Sequence, residues 1–150
     1  MNSLQRIGAI ISIVAGAIAA SIGTIQLIYW LTYAIAANSI NDVTSFYLIV
    51  GLLAFIISVG IIILGVRTIS ANRSNTAWGL VLLSVVGPFG LGGLVAVVAV
   101  GQNLIGFDAG HRPPSFIFVM NGILMALMVL SLIGGVIAIV GARSTRITIE

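Results

Sequence analysis

Four uninterrupted apolar runs, at residues 7–37, 46–66, 77–105 and 115–142, govern what this chain can become. Each meets or exceeds the ~20 residues a helix needs to cross a hydrocarbon core. In that solvent the backbone must bond to itself. Four spans are too few to close a β-barrel, and these are too long and too unalternating. The expected fold is therefore all-α, a four-helix transmembrane bundle forming one integral membrane domain over residues 1–150, in contact with membrane lipid. Composition agrees. Hydrophobic residues make up 60% of the chain and charged residues 6%, against about 25% charged in an ordinary soluble domain.

The first run is longer than a bilayer requires. Tyr29, Trp30 and Tyr33 stand where an interfacial aromatic belt is expected, which puts the outer boundary near Trp30. Residues 1–19 also resemble a charged region, an apolar region and a small-residue cleavage site. The apolar run continues well past that point, so the segment is read as the first span.

The connections expected at residues 38–45, 67–76 and 106–114 are too short for a folded extramembrane domain, and make successive helices antiparallel neighbours. Asp42 or Thr44 suits the cap of the second helix and Ser74 or Asn75 that of the third. Pro113 and Pro114 fix the start of the fourth. All six cationic residues are Arg. Arg6, Arg67, Arg73, Arg143 and Arg146 fall on one side of a four-span layout, and Arg112 alone on the other. The positive-inside rule then places both termini in the cytoplasm, with the cell membrane as the expected location.

Shifting the sequence by 76 positions lays one half over the other. Gly65-Val66-Arg67-Thr68 meets Gly141-Ala142-Arg143-Ser144, and Gly16, Ala20 and Gln26 meet Gly92, Ala96 and Gln102. Two tandem helical hairpins, related by an axis along the membrane normal, would produce this pattern. Composition alone can also produce it, since apolar segments ending in Gly and Arg look alike.

Small residues supply the clearest packing signal. Ser12, Gly16, Ala20 and Thr24 recur on the first helix, Gly92 and Ala96 on the third, and Gly134 and Ala138 on the fourth. Such stripes let helix backbones approach closely in lipid. They serve packing within one bundle, or a face awaiting another subunit. In the third span, Gly87, Pro88 and Gly90 break the helical pattern, because proline removes a backbone bond and crowds the preceding turn. The expected result is a bend that turns the Ser84 carbonyl towards Ser58 or Ser131. A broken helix lining a solute site is the sharper alternative.

The intramembrane polar residues are few and neutral. Gln26, Gln102, Asn103 and Asn121 map to the outer half as a candidate polar cluster, with Tyr47 nearby. They serve as interhelical bonds or as the floor of a small pocket. No ionisable group other than Tyr lies deep in a span, which argues against proton-coupled pumps, voltage sensors and most carriers of charged substrates. Cysteine is absent, which removes thiol chemistry. Asp42, Asp108 and His111 share the outer side without metal-ligand spacing, so no metal site or cofactor is expected, and no nucleophile–base pair is evident. The scattered Arg residues do not suit nucleic acid. The expected role is non-catalytic: a small accessory subunit working through helix packing with other membrane subunits or with copies of itself. The rival role is a small channel or transporter for a neutral or weakly charged solute.

Reporters active only in the cytoplasm test the orientation. Fusions after Glu150 or near Asn72 should be active and one near Ala109 silent; activity at Ala109 would reverse the layout.

Overall fold

The computed structural model describes residues 3–36, 42–71, 74–87 and 115–147. They form four helices: α1 (Ser3–Ala36), α2 (Asp42–Ala71), α3 (Ser74–Val85) and α4 (Ser115–Ile147). Among the described residues there is no strand. Three helices carry segments long and apolar enough to cross a membrane, Ser3–Ala36, Thr44–Ser70 and Val119–Ser144, as in a membrane-embedded protein. At ~1.5 Å per residue the 34 residues of α1 span about 51 Å.

The helices outrun the apolar segments that announce them. α2 continues to Ala71 and α3 begins at Ser74, so most of the expected connection at residues 67–76 is helical. Likewise α2 starts at Asp42 and α4 runs on to Ile147. Hydropathy marks where lipid ends; the backbone bond ladder extends beyond it, where water can receive the last carbonyls. Ser74 and Asp42, both candidate caps, stand at helix starts, and α4 begins directly after Pro114.

The four helices close into a ring in which α1 and α3 each pack on both α2 and α4. All four neighbouring pairs are antiparallel. Along α1, Gln5, Ser12 and Gln26 meet Thr68, Ser131 and Asn121. Gly23 faces Phe55, Gly60 faces Leu83, and Gly135 faces Val81. Arg6, Arg67 and Arg143 therefore share one end of the bundle, and the Trp30, Tyr47 and Phe116 aromatics the other.

The inner face of α1 is Gln5, Gly8, Ala9, Ser12, Ala15, Gly16, Ala19, Gly23, Gln26, Trp30 and Ala34. Its spacing mixes steps of one, three and four residues, which keeps the line near one side of a 3.6-residue helix. A strict step of four drifts off that side. Hence Ser12 and Gly16 of the expected stripe are buried, Ala20 is half-buried and Thr24 is exposed, its hydroxyl turned back to the Ala20 carbonyl at 2.9 Å. The same line carries Trp30 inward, where it is 4% exposed and stacks on Tyr47 at 4.8 Å, while Tyr33 stays exposed. The outward surface is apolar, with Ile28, Ile49, Leu82, Val119 and Ile133 among the exposed side chains.

The closest helix approach joins α1 to α4. A Cβ on Gly8 would collide with the Gly134 carbonyl oxygen and come within 2.5 Å of the Ala138 nitrogen, and one on Gly141 would strike the backbone of Gln5. A Cβ on Gly134 would lie 2.6 Å from the Gly8 oxygen. Lipid tails are as apolar as these side chains, so van der Waals contact at such crossings carries much of the association. Gly65 also faces α1, against Ile13. Under the expected two-fold its mate Gly141 would face α3, yet it faces α1, so this pair does not carry the duplication. The Gly92, Ala96 and Gln102 mates lie outside the described residues.

Gly8→Ala should destabilise the bundle by about 1–3 kcal/mol, because the clash is with backbone that cannot swing away. Gly122→Ala, where an added Cβ meets nothing within 4 Å, should leave stability unchanged or raised. Reversible unfolding in mixed micelles, followed by helicity, compares the two; equal losses would remove the crossing's special status.

Candidate functional site

Two buried polar groupings occupy the bundle interior. The outer one joins α1 to α4. Gln26 and Asn121 are both buried, and Gln26 Nε2 donates to Asn121 Oδ1 at 2.8 Å. Both are placed by the inner lines of their helices: Gln26 lies one turn before Trp30, and Asn121 one turn before Leu124. Close by on the sequence of the same helices, Trp30 stacks on Tyr47 of α2 with 4° between the ring planes, and Tyr29 meets Phe116 edge-on at 5.0 Å. Asn121 Nδ2 and the Tyr47 hydroxyl are buried without a hydrogen-bond partner among the described residues. Gln102 and Asn103, the other members of the expected cluster, lie outside the described residues.

The second grouping is a set of fully buried serines, one from each helix: Ser12, Ser58, Ser84 and Ser131. Ser12 Oγ donates to the Ser131 carbonyl at 2.8 Å, with the Gly8 carbonyl at 3.2 Å as its second acceptor. The Ser84 hydroxyl donates to the Leu80 carbonyl at 2.8 Å. A hydroxyl has one proton to give, so the 2.8 Å contact between Ser84 and Ser131 is a donation from Ser131 to Ser84. The chain of bonds thus runs across α1, α4 and α3. Ser58 bonds the Ala54 carbonyl of its own helix at 2.7 Å. The contact between Ser84 and Ser131 is thus between hydroxyls; the bend expected to turn the Ser84 carbonyl towards Ser58 or Ser131 centres on Pro88, which lies outside the described residues.

Residues 86–87 widen the helical turn at the end of α3, a bulge of the kind that accompanies a disturbed bond ladder. Gly87 is buried, and a Cβ there would come within 2.8 Å of the Met128 side chain. Pro88 and Gly90, with the rest of the expected break, lie outside the described residues, as do Gly92 and Ala96. Gly16, Gly134 and Ala138 are buried inside the bundle, so their small size serves contacts within the chain.

Two arrangements escaped sequence reasoning. Gln5 is fully buried, its Nε2 3.5 Å from the Thr68 carbonyl and its Oε1 without a partner. Its place beside Arg6 disguised it as part of a solvated end; its spacing of three from Gly8 was the available signal. Arg143 lies over the Trp78 ring at 5.8 Å, a contact between separate helices that no local pattern announces. Among the described residues no group of acids and histidines has the proximity to hold a metal.

No protein-family description, curated protein or solved structure matches the chain. The side chains brought together are neutral amides and hydroxyls, which donate and accept hydrogen bonds but do not titrate near neutral pH.

A double-mutant cycle on Gln26→Ala and Asn121→Ala should return a coupling of about 0.6–2 kcal/mol, the range for interhelical bonds in lipid. Additive losses, measured by reversible unfolding, would mean the 2.8 Å contact contributes nothing of its own.

Proposed function

We propose that this protein is a non-catalytic, multi-pass membrane protein acting through helix packing, as a small subunit of a membrane complex or as a homo-oligomer, with both termini in the cytoplasm. The carrying observation is the Gln26–Asn121 bond. Two polar side chains of the outer half are bonded to each other between α1 and α4 instead of being held open for a solute. The serine chain supports the same reading, since its hydroxyls join three helices. Arg6, Arg67 and Arg143 at one end favour the cytoplasmic placement of that end.

One observation favours a second reading, a small channel or transporter for a neutral or weakly charged solute. Asn121 Nδ2 and the Tyr47 hydroxyl are donors left unsatisfied in the apolar interior, where each costs several kcal/mol. A passing acceptor would satisfy them.

Purification in mild detergent separates the two. A stoichiometric co-purifying membrane chain, or a defined multiple of the 15.5 kDa protomer, is the expected result. A stable monomer that conducts a neutral solute in proteoliposomes, and loses that flux in Asn121→Leu while still folding, would establish the second reading instead.

A further inference from the structure

The Arg-bearing end holds an arrangement that helix packing does not use. Arg143 sits in the last turns of α4 and is exposed, and its guanidinium lies 5.8 Å from the centre of the Trp78 ring. Trp78, in the first turns of α3, is itself 46% exposed. At that distance the ring face attracts the cation and leaves its N–H groups able to bond a planar or tetrahedral oxyanion. Among the described residues the one carboxylate is Asp42, at the opposite end of α2 from Arg67. The guanidinium therefore has no acid of the described chain beside it.

What lies beneath it is apolar. Leu82 follows Trp78 by one turn on the same face of α3, and Val140 and Val136 follow Arg143 towards the bilayer centre on the same face of α4. All three are about half exposed. A cationic head thus stands above exposed apolar side chains on the outward faces of the two helices. Tryptophan at this depth is the residue expected at headgroup level.

The geometry points to a binding site for the phosphate of an anionic phospholipid at the Arg143–Trp78 step, with one acyl chain lying along Leu82, Val140 and Val136. Free phosphate offers the same charge-assisted bonds to the Arg143 fork. It gains nothing from the apolar side chains below. This inference needs only that the chain is embedded in a bilayer; it stands whether or not the protein has protein partners.

The test uses the full chain reconstituted in phosphatidylcholine vesicles, with phosphatidylglycerol brominated on its acyl chains as the probe. Bromine quenches tryptophan on contact. Trp30, at 4% exposure, provides an unquenched floor, so the signal reports Trp78. Half-quenching should occur at a mole fraction about fivefold lower than with brominated phosphatidylcholine, the effect of one Arg at an anionic headgroup. Arg143→Gln should bring the two curves together without changing thermal stability in pure phosphatidylcholine. If that variant fails to insert, Arg143→Lys takes its place and should narrow the gap, since it keeps the charge and loses the planar fork. Excess inorganic phosphate should leave the curves apart. Coincident curves for the unaltered protein, an unchanged gap in the Arg143 variant, or displacement by inorganic phosphate would each overturn the assignment.

Discussion

Everything in this bundle depends on how closely α1 and α4 can approach. In water two apolar helices are pushed together by their solvent; in lipid they gain only what direct contact provides. Gly8, Gly134 and Gly141 reduce the crossing to backbone against backbone. That separation brings Ser12 within 2.8 Å of the Ser131 carbonyl and Gln26 within 2.8 Å of Asn121. The hydrogen bonds are thus a product of the glycines, and a wider crossing would forfeit both. The ring closes there as well: α4 carries the contact onward to α3 through Ser84 and Gly135.

Polarity is distributed to suit this constraint. Exposed hydroxyls at Ser21, Thr24, Thr32 and Ser70 turn back to carbonyls four residues earlier on their own helices. They face lipid at little cost because they are already satisfied. The buried serines Ser12, Ser84 and Ser131 instead use part of their capacity between helices. The same residue type therefore does different work according to which side of the helix it occupies. Among the described residues the buried polar side chains are Gln, Asn, Ser and Thr.

Much of the architecture was legible in the sequence because lipid narrows the choices. Once a run of ~20 apolar residues is present, helix follows from backbone satisfaction alone, and the Arg positions order the ends. Gln26 and Asn121 were legible as partners because polar side chains in a span must find one another. Less legible were quantities that depend on helical phase. A four-residue step named Gly16 correctly as an inward residue but placed Ala20 too centrally, since the error grows with each turn. Aromatic identity speaks to the depth of Trp30 but not to its side of the helix, which its phase with Gly23 and Gln26 turns inward. Gln5 and the Arg143–Trp78 step required the tertiary arrangement, because their partners lie on other helices.

The crossing has a consequence for how the chain is made. Ser12 and its acceptor are 119 residues apart, and Gln5 packs on Gly141 near the end of the last helix. At about 5–20 residues per second, translation separates the two sides of that contact by roughly 6 to 24 s. During this interval the part of α1 that α4 covers, at Gly8 and Ser12, has no partner helix. An early-terminated product would remain in that state, presenting an adhesive surface to any neighbouring helix. The fourth helix is thus the keystone of assembly: only when it arrives are the Gly8 face of α1 and the Ser12 hydroxyl covered.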